Sequence, residues 1–265
     1  MLNRRKTIGI VGYGRIGSYV YDQITKHPEL GLKIVFVHDM EKERLKELPQ
    51  EIVLDRIEDF ASRKPGMVCE LAHPDVSREY GPMFLQETDY FLLSVTALAD
   101  AELDTTLKET AMKSGTRLYI PHGGVMGLDS IIEGKDTWEE VKFVMKKSPK
   151  NLDFTWSGID PSSISGVTTL YEGPTRGICP KFPRNVNTHA TVAFAGIGFD
   201  RTQSILIGDP KLNVAILEIY AHGGGVDLDL KRTGIIKGVT GIATLRSVMK
   251  SLANIVPGGP GIHFC

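Results

Sequence analysis

The first 120 residues alternate between short apolar runs and longer stretches in which apolar residues recur every three or four positions. Short runs rich in β-branched and aromatic residues are typical of buried strands, whereas the longer spacing is typical of helices. The predicted strands cover residues 7–11, 32–39, 66–71, 90–95 and 117–120, and the predicted helices cover residues 16–26, 75–86 and 101–113. This alternation predicts an α/β fold with a doubly wound parallel sheet.

Strands dominate the pattern after residue 124. They are predicted at residues 140–147, 167–171, 204–207, 215–220 and 226–230, with helices at 128–132, 187–196 and 238–255. The short connections favour an antiparallel or mixed sheet in a second, α+β domain. The last helix carries one apolar stripe, so we expect it to pack on the first domain. The predicted division is residues 1–124, joined by the C-terminal segment 238–265, and residues 125–237.

Composition and charge narrow the class of protein. The 265 residues carry a formal net charge of −1, which argues against nucleic acid or an anionic membrane as partner. No apolar run is long enough to span a bilayer, and residues 1–6 lead into a strand rather than a signal-peptide core. Cys69, Cys179 and Cys265 are too scattered for a metal site or a disulfide framework. We therefore expect a reduced, cytoplasmic protein without a bound metal.

Three glycines, Gly12, Gly14 and Gly17, follow the first predicted strand at the point where a helix begins. In this context the G-x-G-x-x-G spacing predicts dinucleotide binding. The first glycine permits a tight turn, the second lets backbone approach a pyrophosphate, and the third lets helix and strand pack closely. We expect these glycines, with Arg15 and Ile16, to contact the cofactor. The alternative is a glycine turn that binds no ligand.

An acidic residue, Asp39, ends the second predicted strand about twenty residues beyond the glycines. A carboxylate there accepts hydrogen bonds from the ribose hydroxyls of NAD, and it repels the 2′-phosphate of NADP. No arginine follows immediately, since the next residues are Met40 and Glu41. We therefore expect NAD as the cofactor, with NADP as the alternative.

Two further segments follow strand ends, which is where ligands bind in doubly wound sheets. Ser94, Thr96 and Ala97 follow the fourth strand, and we expect them beside the cofactor; the alternative is an ordinary turn or helix cap. His122 and Gly123 follow the fifth strand, and we expect them to contact the cofactor, with His122 also a candidate for catalysis.

Cations, amides and a histidine are concentrated at the start of a predicted helix in the second domain. Lys181, Arg184, Asn187 and His189 lie within nine residues. Cations and helix N–H groups together suit a carboxylate, so we expect these four residues to bind the substrate. The alternative is a solvated loop capped by Asn187, with His189 packed in the helix.

Four segments, in order, resemble the L-aspartate dehydrogenases and their uncharacterised relatives: residues 12–17, 94–100, 123–129 and 181–187. The second and fourth are the most specific. The resemblance implies a Rossmann-type domain and a second substrate domain that forms a homodimer. It also implies NAD(P)-dependent oxidation of an amino acid through an imine.

One segment departs from the pattern of that family. The family carries a catalytic histidine in an Asn-x-His-Glu-Ile strand, whereas the matching residues 213–217 have Ala215 at the histidine position. His122 and His189 are extra histidines near the expected site, and we favour His189 as the group that handles the proton. The glycine-rich residues 257–265 are a second departure, for which we expect a disordered terminus.

The leading hypothesis is therefore an NAD-dependent oxidoreductase. It would transfer hydride between the nicotinamide and the α-carbon of an amino acid or related small carboxylate. The alternative is a catalytically divergent NAD(P)-binding paralogue that acts as a ligand sensor, which the alanine at position 215 favours.

Overall fold

The computed structural model describes residues 6–237 and 240–256. Two compact units divide the chain: unit 1 holds the described residues within Met1–Leu93, Leu107–Pro121 and Arg246–Cys265, and unit 2 holds those within Ser94–Thr106 and His122–Leu245. The domain boundary at residue 124 stays a prediction, and Ser94–Thr106 clusters with unit 2. Residues 238–239, at the expected start of the last helix, and the glycine-rich tail lie outside the described residues.

Unit 1 contains a five-stranded sheet in the order β2-β1-β3-β4-β5, with every neighbouring pair parallel. Its strands are β1 (Lys6–Val11), β2 (Leu32–His38), β3 (Met67–Glu70), β4 (Asp89–Leu92) and β5 (Leu118–Tyr119). The helices are α1 (Arg15–Lys26), α2 (Pro74–Glu87) and α3 (Ala101–Ser114), the last of which runs from unit 2 into unit 1. The predicted parallel α/β sheet is confirmed. The order of strands reverses next to β1, and such a switch point is where doubly wound sheets bind ligands.

The core of unit 1 is apolar and includes residues from distant parts of the sequence. Ile8 and Ile10 of β1 pack with Val20 of α1, and Val248 and Leu252 of the last helix, α7 (Ile242–Ile255), belong to the same cluster. All five side chains are buried. The apolar stripe of α7 therefore contributes to the core of unit 1.

Unit 2 contains a mixed six-stranded sheet in the order β11-β10-β9-β6-β8-β7. The strands are β6 (Trp138–Lys147), β7 (Thr168–Pro174), β8 (Gln203–Gly208), β9 (Val214–Gly223), β10 (Val226–Lys237) and β11 (Thr240–Gly241), and the helices are α4 (Leu128–Glu133), α5 (Thr175–Ile178) and α6 (Asn187–Ala195). Among the described strands of this sheet, β6 and β8 pair in parallel and the other pairs are antiparallel. The second α+β sheet is thus confirmed, although the pattern did not predict α5 or β11.

Alternation along β6 separates the two faces of this sheet. Val141, Phe143 and Met145 are buried on one face, and Lys147 continues the same series at the end of the strand. Helix α6 lies over this face, where the ring of His189 contacts that of Phe143 with 4.3 Å between their centroids. We call it the α6-covered face.

Within residues 6–237 and 240–256, no helix combines the length and the apolar composition that crossing a bilayer requires.

Candidate functional site

Two of the fingerprint glycines are required by packing within unit 1. Gly12 has φ +98°, and a Cβ added there would come within 2.7 Å of the Cβ of Ala72. A Cβ on Gly17 would overlap the carbonyl oxygen of Gly12. Any larger residue at either position would therefore disturb the turn between β1 and α1.

The remaining fingerprint glycine, Gly14, is not required by packing within the protein. It immediately precedes α1 with φ −76°, a value that other residues adopt readily. The nearest atom to a Cβ placed there is Arg44 Nη1, at 3.8 Å. The space in front of Gly14 is thus open, at a helix N-terminus whose N–H groups favour an anion. This is the shape that a pyrophosphate requires.

Asp39 is only 7% exposed and lies beside the same turn. Its Oδ2 accepts a hydrogen bond from the backbone N–H of Tyr13 at 2.6 Å, and its Oδ1 accepts one from that of Glu41 at 2.8 Å. Each oxygen of an ionised carboxylate has a further lone pair, so Asp39 can also accept from ribose hydroxyls. These residues fit a nicotinamide dinucleotide.

Arg44 is a neighbour of Asp39 that the sequence pattern did not single out. Its Nη1 lies 3.5 Å from Asp39 Oδ2, and its Nη2 lies 2.7 Å from Glu41 Oε1. Two carboxylates therefore already compensate this guanidinium, and the preference for NAD over NADP stays the prediction.

Two segments that the sequence analysis selected separately meet within unit 2. The side-chain carbonyl Oδ1 of Asn187 accepts from the backbone N–H of Thr96 at 3.1 Å and from its hydroxyl at 3.2 Å. The Thr96 hydroxyl also lies 2.9 Å from the carbonyl oxygen of Pro183. Ser94 and Ala97 are buried in the same short turn, where the N–H of Ala97 bonds to the carbonyl of Ser94. Cofactor contacts for this segment stay predictions.

The loop after β5 is shaped by glycines. Gly123 and Gly124 have φ of +59° and +98°, and the carbonyl of His122 accepts from the N–H of Val125 at 2.8 Å. The ring of His122 is 39% exposed, with Nε2 3.6 Å from Asp129 Oδ1. An accessible imidazole in this loop is compatible with the predicted ligand contact, which stays untested.

Lys181 and Arg184 lie on the surface of unit 2. Lys181 is exposed, and Arg184 Nη1 lies 3.0 Å from Asp153 Oδ2. The charge of Arg184 is thus compensated within the protein. Their predicted role in binding a carboxylate stays a prediction, and this geometry gives it no support.

His189 has the surroundings of a core residue. It is 0% exposed, its Nδ1 lies 2.9 Å from the Ser204 hydroxyl, and its Nε2 has no hydrogen-bond partner among the described residues. Burial, with the positive charge of Lys147, lowers the pKa of His189 to about 3. The ring is therefore neutral at pH 7. Its catalytic and substrate-binding roles stay predictions, although the structure favours packing in the helix over contact with substrate.

Two cations that the sequence analysis missed lie on the α6-covered face. Lys147 is 5% exposed, and burial together with the charge of Arg232 lowers its pKa to about 8. Arg232 is half-buried, its Nε has no hydrogen-bond partner among the described residues, and burial lowers its pKa. Neither side chain has a carboxylate partner among the described residues. Unpaired buried cations are costly, so such a pair is typical of an anion-binding site.

A cavity of about 230 Å³ opens on this part of unit 2. Its walls are the glycine loop at residues 124–127, the apolar side chains Phe143, Leu217 and Leu230, and the cation Arg232. An apolar cavity with one fixed charge suits a small ligand that carries a carboxylate.

The alternation of the strands held a signal for both cations. Lys147 stands where the buried series of β6 would place another apolar residue, and Arg232 continues the half-buried series Leu228 and Leu230 of β10. A charged residue on a buried strand face is therefore a candidate for a functional position.

Two models of known protein families match the chain, one in each half of the sequence. The model described as "Aspartate dehydrogenase, C-terminal" matches residues 131–255, and that described as "Homoserine dehydrogenase, NAD binding domain" matches residues 12–121.

Curated relatives match over most of their length. An "Aspartate dehydrogenase domain-containing protein" of Xenopus tropicalis is 31% identical over 284 residues and covers 99% of both chains. A protein of the same description from Danio rerio is 30% identical over all of both chains. An "L-aspartate dehydrogenase" of Acinetobacter baumannii is 29% identical and covers 87% of this chain and 89% of its own.

Solved structures share the fold. The aspartate dehydrogenase of Thermotoga maritima matches with a TM-score of 0.73 and 24% identity, over 98% of this chain and 99% of that chain. A hyperthermophilic archaeal homoserine dehydrogenase in complex with NADPH matches with a TM-score of 0.62 and 12% identity, over 94% and 97%.

Proposed function

The chain belongs to the aspartate dehydrogenase family, and we propose that it oxidises an acidic amino acid of the aspartate type, using NAD as hydride acceptor. As a member it is an NAD(P)-dependent dehydrogenase. The observation that carries the choice of substrate is Arg232, an uncompensated guanidinium in the wall of a small cavity of unit 2.

Residues of unit 1 hold the cofactor in this proposal. The open space at Gly14 and the N-terminus of α1 receive the pyrophosphate, and Asp39 accepts from the ribose hydroxyls. When bound, the dinucleotide supplies a hydride acceptor.

Residues of unit 2 hold the amino acid. Arg232 donates to a carboxylate of the substrate, since a guanidinium matches a carboxylate with two parallel hydrogen bonds. The apolar walls exclude water around this pair, which strengthens it. Asn187, fixed by Thr96, lies at the start of α6 and is available to orient the substrate.

The sensor alternative rests on Ala215 alone. Among the described residues, no further feature favours a binding protein over an enzyme. The same experiment separates the two, because a sensor binds NAD without turning over any substrate.

The test is an absorbance assay of reduced nicotinamide with L-aspartate, other amino acids and hydroxy acids, and in reverse with oxaloacetate and ammonium. Acidic amino acids should be the best substrates. Arg232→Gln should lower kcat/KM about tenfold to a hundredfold, the effect of losing one charged hydrogen bond.

Two other arginine variants serve as comparisons. Arg201→Gln, which removes an exposed guanidinium bonded to the Glu139 carbonyl, should leave the kinetics unchanged. Arg184→Gln tests the expectation drawn from sequence; a larger effect there than in Arg232→Gln would reject the present assignment. Turnover of hydroxy acids alone, or of no substrate, would reject the proposed reaction.

A further inference from the structure

Lys147 occupies a specific place on the α6-covered face. In the antiparallel register of β6 and β9, Lys146 pairs with Ile216, so the next pair along the strands is Lys147 and Ala215. On the other side of β9, Ala215 pairs with Gly234 of β10. Lys147 is thus the long side chain in a row of small ones.

Arg232 lies in the next row on the same face, where it pairs with Leu217 of β9. Its Nη1 lies 3.0 Å from the position that a Cβ on Gly234 would take, so the guanidinium reaches along β10 towards the row of Ala215 and Lys147. A carboxylate held by Arg232 would therefore bring the rest of a small amino acid near Lys147.

Three neighbouring elements, β10, α6 and β8, place titratable or charged groups near Lys147. Arg232 on β10 is cationic, and His189 on α6 is neutral at pH 7 because burial lowers its pKa to about 3. On β8 the paired residue is Gly208; the next residue, Asp209, directs its carboxylate to the backbone N–H of Lys211 at 2.9 Å. No described carboxylate pairs with Lys147. Its amine therefore exchanges a proton near pH 8, where an exposed lysine stays charged.

We propose that Lys147 is the catalytic residue that takes the proton from the ammonium group of the substrate. This inference rests on the proposed function. It also accounts for the alanine at position 215, because the amine opposite that position carries out the proton transfer.

The neutral Lys147 amine removes one proton from the substrate ammonium, which leaves a neutral amine on the α-carbon and an ammonium on Lys147. The α C–H bond then breaks, its electron pair leaves with the hydrogen as hydride to the oxidised dinucleotide, and the nitrogen lone pair forms the C=N bond. The proton on Lys147 passes to solvent, which resets the residue.

Adjacent lysines on opposite faces give a matched pair of variants. Lys146 points to the other face, where its Nζ lies 2.9 Å from Glu218 Oε2. Lys147→Met and Lys147→Arg should lower kcat about a hundredfold to ten-thousandfold, because a positioned base is lost in both. Lys146→Met should keep wild-type turnover. The kcat/KM profile of wild type should rise with pH to a plateau above about pH 8, and Lys147→Met should lose that limb.

A binding experiment gives a readout independent of turnover. Succinate carries two carboxylates and no amine, so it serves as the probe for calorimetric titration at pH 8 in two buffers of different ionisation enthalpy. A bound anion favours the charged form of a nearby amine. Wild type and Lys146→Met should therefore take up protons on binding, and Lys147→Met should take up none.

The possible results distinguish a wrong role for Lys147 from a wrong proposed function. If wild type neither oxidises an amino acid nor binds succinate, the proposed function is wrong and this inference falls with it. If wild type turns over but Lys147→Met keeps its rate, its pH limb or its proton uptake, Lys147 is not the base. NAD affinity and near-ultraviolet circular dichroism that match wild type show that Lys147→Met is folded.

Discussion

His189→Phe tests whether the buried histidine is held neutral by its surroundings. The pKa is 6.5 for an unperturbed histidine and about 3 here, so only the unfolded chain binds this proton between those values. The stability contributed by the neutral ring is fully present above pH 6.5 and is lost progressively as pH falls towards 3. A phenylalanine at position 189 keeps an aromatic ring against Phe143 and has no group that binds a proton in this pH range.

The magnitude follows from the two pKa values. Each pH unit within the window costs about 1.4 kcal/mol of unfolding free energy. Between pH 7.5 and pH 5.0 the loss from His189 is about 2 kcal/mol. Wild type should lose this amount on top of all other titrations, and His189→Phe should not. The Ser204 hydroxyl keeps a partner in the variant, since it lies 2.8 Å from the Thr175 hydroxyl.

Urea unfolding followed by tryptophan fluorescence is the assay. Both tryptophans, Trp138 and Trp156, lie in unit 2, so the signal reports the unit that contains His189. His222→Phe is the control, because the hydrogen bond to Asp227 raises the pKa of the exposed His222, so its removal should not reduce the loss at low pH. An equal loss in wild type and His189→Phe would refute the reasoning. Turnover of His189→Phe measured alongside should stay within about tenfold of wild type, whereas a drop of a hundredfold or more would restore the catalytic role first expected of His189.

Three further predictions concern the cofactor and the assembly. Gly14→Ala should weaken NAD binding by at least about tenfold with little change in thermal stability, which calorimetric titration with NAD checks. Gly17→Ala should lower the unfolding free energy by about 1–3 kcal/mol, which urea unfolding checks. Titration with both cofactors should show tighter binding of NAD than of NADP, and Asp39→Ala should narrow the difference; tighter NADP binding in wild type would contradict this. Light scattering at micromolar protein should give the mass of a dimer, and a monomer would contradict that expectation.

Local features of the sequence were sufficient to select the candidate cofactor residues. Gly12 and Gly17 shape one turn, and Asp39 lies at the spacing from them that is typical of dinucleotide-binding domains, so spacing alone selects all three. The alternation of apolar residues likewise predicted the parallel sheet and most strands of unit 2.

The proposed substrate residues depend on register between distant strands. Lys147 and Arg232 are 85 positions apart by their residue numbers, and only the pairing of β6, β9 and β10 places them on one face. In the same way, the sequence suggests that Arg184 is available for a ligand. Its partner, Asp153, is 31 residues away, so the local pattern does not reveal the ion pair. Ion pairs and cross-strand neighbours of this kind are tertiary features that periodicity does not encode.

Helix α7 also determines when the core of unit 1 can be completed during synthesis. Residues 246–256 supply Val248 and Leu252 to the core of unit 1, yet they are translated after all of unit 2. A nascent chain that ends before residue 246 therefore has every strand of the cofactor sheet and an incomplete core beneath it. Domains commonly fold during synthesis from the N-terminus, but the core of unit 1 is complete only after residues 246–256 have been synthesised. A premature stop at residue 245 should thus expose apolar surface on the unit synthesised first, and make that unit the target of chaperones and proteases.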